Sequence, residues 1–324
     1  GKIDYLDTSS ELNVTDGVII KMYARDGRDA SGVYEMYIEN IETTVPAVEV
    51  PEDYKFVEIS ENVYQVVEKV YVAQVGDKKF ESFDEALAAA SATDEIVILK
   101  TIVLSETKTI NFENIAVTST VNPAFRITNG ATVTVENGNM DTEGVAYNFI
   151  LGASDGSSAG NLTIKSGKYH ASTTVASVTK GNLAIEGGEF SATPYNGSYA
   201  FLINCIDANY TNGSATVSII GGTFHNWNPQ NNAAEGTGTD FCHADYAATK
   251  TAENVWTVLK AVAKIGEARF ATLQDAVNAA DATNNTKIKV AVANPLNITD
   301  ENTKFTMSVF KKNGDDLIDI TKSC

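Results

Sequence analysis

Positive charge, proline, cysteine and tryptophan are all scarce in this chain. Its 324 residues include six prolines, three cysteines, two tryptophans and 24 Lys+Arg against 42 Asp+Glu, a net charge of −18. Such an acidic surface repels a phosphate backbone and an anionic bilayer, so nucleic acid is not an expected partner. No run of about 18 apolar residues exists, so membrane insertion by a helix is not expected. The first twenty residues lack the basic-then-apolar layout of a secretory leader. A first residue, Gly1, that is not Met suggests a trimmed chain. Cys205, Cys242 and Cys324 lack the spacing of a metal site, and no metal or cofactor is expected. Buried or free thiols are the plain reading. A Cys205–Cys242 disulfide stays open in an oxidising compartment.

What the chain does have is a repeated phrase. It reads VTVENGNMDT from Val133, LTIKSGKYHA from Leu162, LAIEGGEFSA from Leu183 and VSIIGGTFHN from Val217. Aligned, the copies put Val135, Ile164, Ile185 and Ile219 at one position. Gly138, Gly167, Gly188 and Gly222 share a second, and Met140, Tyr169, Phe190 and Phe224 a third. Each copy alternates apolar and polar residues, breaks at glycine, then supplies one large apolar side chain: strand, bend, strand. No copy can bury its apolar residues alone, so the copies must stack, with the Ile positions and the aromatic positions forming interior ladders. Stacking at about 4.8 Å per strand predicts a parallel β-helix over residues 101–246. A β-sandwich also has short, regularly spaced strands, but it does not require the same residue types in the same register four times.

A longer repeat frames this core. Asp53-Tyr54 matches Asp245-Tyr246, ENVY from Glu61 matches ENVW from Glu253, and after a two-residue deletion Phe80 matches Phe270 and Ala86 matches Ala276. In each copy a capping pair, Ser82 with Glu85 and Thr272 with Asp275, opens a short Ala-rich helix. The apolar faces of these helices, around Leu87 and Val277, suit them to cover the open end of a β-helix. The expected organisation is the tail of one module at 1–71, a complete module at 72–261 with a cap helix at 83–92, and the head of a third at 262–324 with a cap helix at 273–281. LNVTD at Leu12 and LNITD at Leu296 hint that the two ends are related.

The segment from Gly197 to Tyr246, followed by VWTVLKAVAKIGEARFATLQDAVNAA, resembles a module of the right-handed β-helix, pectate-lyase-like superfamily. That module recurs in surface proteins of gut bacteria and in tail or fibre proteins of their phages. The resemblance covers roughly residues 54–290 and rests on GGTF, NP…N…AEG and F.TL.DAV.AA. It implies a mainly β fold, a right-handed parallel β-helix with short α-helical end caps flanked by partial β-rich modules. It also implies display outside the cell or on a virion, on an architecture that hosts both polysaccharide-cleaving enzymes and adhesins.

Catalysis on such a scaffold needs outward carboxylates or basic residues on successive coils. Glu186 with Glu189, Asp141 with Glu143, and Asp240 with Asp245 are the candidate pairs for glycoside hydrolysis. None lies in a polygalacturonase-type phrase. Arg126 is the only arginine between residues 29 and 268, and no Asp cluster accompanies it, which weighs against a lyase. His170 and His225 should point outward with Ser191 between them, a poor metal site. His243 lies near Asp240 and Asp245 without a nucleophile elbow. No catalytic residue is assigned.

Exposed aromatics offer sugars a flat face. Tyr195, Tyr199, Tyr210 and Trp227, with Asp207 and Asn209, lie in or just after the longest excursion, 193–214, and are the candidate binding residues. Packing of the loop onto the coil, with Asp207 and Asn209 as turn formers, is the competing expectation. The Asn-x-Ser/Thr triplets at Asn13, Asn161, Asn196, Asn209, Asn212 and Asn297 follow from composition and receive no role. The sequence thus leads to a non-enzymatic modular surface scaffold or adhesin, extracellular or virion-borne. Its expected partners are a glycan, a surface protein or further copies of itself, head to tail or as a trimer. A polysaccharide-degrading enzyme and a phage fibre or decoration subunit are the alternatives.

Overall fold

The computed structural model describes residues 19–24, 34–39, 52–60, 63–142, 144–280, 287–291, 307–313 and 316–322. Glu143, Cys324, Asn13, Asn297 and the LNVTD and LNITD segments lie outside them. The chain divides into two compact units, 1–71 and 72–324.

The larger unit is built around a parallel β-helix. Its first sheet carries parallel strands 95–98, 116–119, 138–142, 167–171, 189–192 and 223–225. The second carries 102–104, 125–127, 147–151, 174–178 and 203–205, and the third 108–111, 132–136, 160–164, 181–185 and 215–219. Each circuit of the chain visits the three sheets in that order.

Register follows the repeated phrase. In the third sheet Val135 pairs with Ile164, Ile164 with Ile185 and Ile185 with Ile219, all of them buried. In the first sheet Met140, Tyr169, Phe190 and Phe224 pair in succession and are buried as well. The helix starts earlier than the phrase does, because strand 95–98 already pairs in parallel with 116–119 and places Ile96 and Val117 on the same inner ladder.

Packing inside the helix follows a size rule. Along the first sheet the inner residue grows from Val117 through Met140 to Tyr169 and Phe190. In the second sheet, at the same circuits, it shrinks from Phe125 and Phe149 to Ala176 and Ile203. Over these four circuits a bulky residue in one sheet is matched by a smaller one in the other, as a close-packed interior requires.

Both ends of the helix are closed. At the first, hairpin 73–75/78–80 pairs antiparallel with strand 95–98, and helix α1 (Phe83–Ala89) follows. The Ser82 hydroxyl accepts from the Glu85 N–H and caps α1. Phe83 drives its ring edge-on into that of Phe125, 5.0 Å away. The plug is thus Phe83 rather than the Leu87 face expected, because the first helical residue points down the bore while Leu87 is only partly buried. At the far end, hairpin 246–252/255–260 pairs antiparallel with 223–225. A second capping hairpin follows at 263–265/268–270, then helix α3 (Leu273–Ala279), capped by Thr272 on the Asp275 N–H. Both helices end before the expected residues 92 and 281, since Ala90 and Ala280 have already turned to extended backbone. Strand 288–290 pairs in parallel with 307–313, which folds back antiparallel with 316–322.

The smaller unit is an antiparallel sheet with strands in the order 19–24, 34–39, 63–68, 54–60. Its hairpin 54–68 and the hairpin 246–260 of the larger unit share one register. Tyr54 pairs with Glu68 and Ser60 with Val63 across an irregularity after Glu58; Tyr246 pairs with Lys260 and Ala252 with Val255 across one after Lys250.

Candidate functional site

The 193–214 excursion leaves the first sheet after strand 189–192, touches the second sheet at 203–205 and returns to the third at 215–219. At its tip Tyr195 and Ser198 exchange backbone hydrogen bonds of 2.8 and 2.9 Å around Asn196 and Gly197. Both central residues have positive φ, the signature of a type I′ turn. Tyr195 is 54% exposed and meets Phe201 edge-on at 6.4 Å. Tyr199 is half-buried, and its carbonyl accepts from the Leu202 N–H. These two tyrosines stay within reach of a ligand.

The other candidates are placed differently. Trp227 is 3% exposed, packed between Phe224 and Phe241, and its indole N–H donates to the Ala200 carbonyl at 3.1 Å. It fastens the excursion to the core and presents no open face for a sugar. Tyr210 packs edge-on against Phe241 at 5.6 Å. Asn209 Nδ2 donates to the Thr179 carbonyl at 2.6 Å, which ties α2 (Asp207–Thr211) to the preceding circuit. Asp207 is exposed in the first turn of α2.

Residues 226–245 then seal the last circuit with side chains and isolated bridges in place of strands. Glu235 Oε1 accepts from the Cys205 N–H at 2.6 Å, an amide at the open edge of the second sheet. Cys242 bridges in parallel to Ile219 at the edge of the third. Gln230 accepts from the Ala248 N–H and donates to the Arg269 carbonyl, while the Arg269 guanidinium pairs with Asp240. Thr249 donates to Asp275 at 2.6 Å. The capping hairpin and α3 are thereby joined to the helix end.

Burial governs the electrostatics of this seal. It raises the Glu235 carboxyl above its usual range, with Asp207 adding to the effect and the Cys205 N–H opposing it. Asp240 is raised by burial against the pull of the Cys242 N–H and Arg269. Burial and the nearby carboxylates push both thiols up to about 12. Cys205 and Cys242 are free and buried, not joined by a disulfide. As buried thiols they are inert.

The outward face of the first sheet gathers the remaining polar candidates. His170 Nδ1 shares a hydrogen bond with Ser191 Oγ at 2.9 Å, and its Nε2 meets Thr193 Oγ1 at 3.4 Å. His225 Nε2 lies 2.8 Å from Glu189, which also faces Lys168 at 3.8 Å. The two imidazoles therefore have separate partners. His243 instead accepts from the Asp245 N–H and stands edge-on to Tyr246. Among the described residues no group of three or more His, Cys, Asp or Glu could hold a metal ion. Among them, too, no helix is long and apolar enough to cross a membrane.

Sequence reasoning missed the sealing role of Glu235, Gln230 and Asp240. Glu235 and Gln230 act on backbone groups of residues far away in the chain, and Asp240, which accepts locally from the Cys242 N–H, also pairs with the distant Arg269. Compared with protein-family models, with curated proteins and with solved structures, the chain matches none.

Proposed function

We propose that this protein is a non-enzymatic, modular surface scaffold, displayed outside a cell or on a virion, that presents the 193–214 excursion to a glycan or protein partner. The shared register of hairpins 54–68 and 246–260 is the observation that carries this reading, because it marks one structural unit used twice along the chain. The resemblance to pectate-lyase-like β-helix modules of gut bacteria and their phages points the same way. A helix sealed at both ends is a stiff spacer, and strong negative charge keeps displayed copies apart. An exposed loop held on such a scaffold is a natural recognition element. Tyr195, with Phe201 edge-on behind it, supplies an aromatic face for a sugar ring or an apolar side chain. Several catalytic candidates already have partners, Glu189 with His225 and Asp240 with Arg269, which favours recognition over cleavage.

A glycan and surface-protein array probed with the native chain and with Tyr195→Ala tests this. The expected result is a ligand retained by the native protein and lost by the variant. A ligand held equally by both would move recognition away from the excursion.

A further inference from the structure

Five Asn-Gly pairs occur in the chain, starting at residues 129, 137, 196, 212 and 313, and both members of the first four are described. Such pairs are chemically fragile, because glycine has no Cβ to shield its nitrogen or to restrict the main chain. Ring closure between the two residues needs a glycine N–H that is not already donating and an asparagine side chain free to swing onto it.

Three of the four pairs fail this test. The Gly130 N–H donates to the Ala159 carbonyl at 2.8 Å, a bond between circuits. The Gly138 N–H donates to the Ser166 carbonyl, and the Asn137 amide is tied to Asn111 and Ser166. The Gly213 N–H donates to the Tyr210 carbonyl at 3.1 Å, and Asn212 Oδ1 accepts from the Ser214 N–H. At the fourth pair the Gly197 N–H has no acceptor among the described residues, and the position of its missing Cβ is open space. The Asn196 side chain is exposed and has no hydrogen-bond partner there. Two backbone bonds between Tyr195 and Ser198 close this turn, and neither involves Asn196 or Gly197.

We propose that Asn196 is a self-modifying site, where the chain converts its own asparagine to aspartate and isoaspartate. The Gly197 nitrogen, losing its proton to solvent base, bonds to Asn196 Cγ; the Cγ–Nδ2 bond breaks and ammonia departs, leaving a five-membered imide. Water then adds to either imide carbonyl and opens the ring, so that one amide and one water become one carboxylate and one ammonium. Opening at the main-chain carbonyl leaves isoaspartate, whose extra backbone methylene no longer fits a two-residue turn. Either product puts a new negative charge beside Tyr195. The site stands independently of any ligand; only its effect on recognition rests on the function proposed above.

The test is peptide mapping of the intact protein during incubation in mildly alkaline buffer made with heavy-oxygen water. Asn196 is expected to convert at least severalfold faster than Asn129, Asn137 or Asn212, taking up one solvent oxygen. Faster conversion at any of those three, or equal rates at all four, would overturn the assignment. Gly197→Asn, which tolerates positive φ while shielding the nitrogen, is expected to slow conversion severalfold; an unchanged rate would rule out ring closure. If that variant fails to fold, the site-by-site rates in the native chain decide alone.

Discussion

The Tyr169 ring lies nearly parallel to that of Phe190, with centroids 5.3 Å apart and planes at 9°, and its hydroxyl donates to the Ser166 carbonyl at 2.9 Å. That hydroxyl occupies the space a side chain at Gly138 would need: a Cβ there would stand 2.1 Å from Tyr169 Oη. The bend glycine and the stacked tyrosine are one device, in which the space left by glycine in one circuit receives the tip of the ring from the next.

Gly138→Ala is therefore expected to destabilise the protein by about 1–3 kcal/mol, the cost of overpacking a filled interior. Chemical denaturation with tryptophan fluorescence measures it. A melting curve equal to that of the native chain would show that the ring moves aside without cost.

The buried Trp227 and the exposed Tyr195 should respond in opposite ways. Trp227→Ala is expected to cost about 3–5 kcal/mol, as for other large aromatics removed from a core. Tyr195→Ala should stay within about 0.5 kcal/mol and act only on recognition. Thermal unfolding of the two variants side by side tests this, and equal losses would contradict the placement of both.

Glu235 links stability to pH. Its carboxyl is raised in the folded protein, chiefly by burial. A raised carboxyl stabilises the fold below its unfolded value, and that stabilisation is lost as pH rises through the folded value. Glu235→Gln keeps an oxygen for the Cys205 N–H but cannot ionise. The variant should therefore be more stable than the native chain near about pH 8, with the difference shrinking towards about pH 4. Denaturant midpoints across that range test it, and a variant less stable at every pH would refute it.

Thiol labelling separates the free, buried cysteines from any disulfide. Cys205 and Cys242 should resist alkylation in the folded protein at neutral pH and react without reductant once it is unfolded. Labelling that appears only after reduction would reveal a disulfide.

The parts of the fold legible in the sequence are those written in local, repeated chemistry. The Ile164–Ile185 and Tyr169–Phe190 ladders were visible because each circuit repeats the same residue types around the same glycine. Before Val133 the chain carries no such phrase. There Val117 replaces the aromatic residue and Phe125, in a different sheet, fills the volume instead. The candidate site was legible only as a long excursion. Tyr195 and Trp227 look alike in sequence, yet burial of the second depends on Phe224, Phe241 and the Ala200 carbonyl, which the fold brings together. Likewise Glu235 reads as one acidic residue among many until the Cys205 edge amide is placed beside it.

The proposed function is recognition without cleavage. Its most direct test is one panel of polysaccharides incubated with the native protein, with calcium added, and assayed together for retention of protein and for release of reducing ends or unsaturated sugars. The expected result is retention on one class of polysaccharide, lost in Tyr195→Ala, with no release from any. Release of sugar ends by the native chain would contradict it and make the outward carboxylates around Glu186 and Asp240 the residues to mutate next.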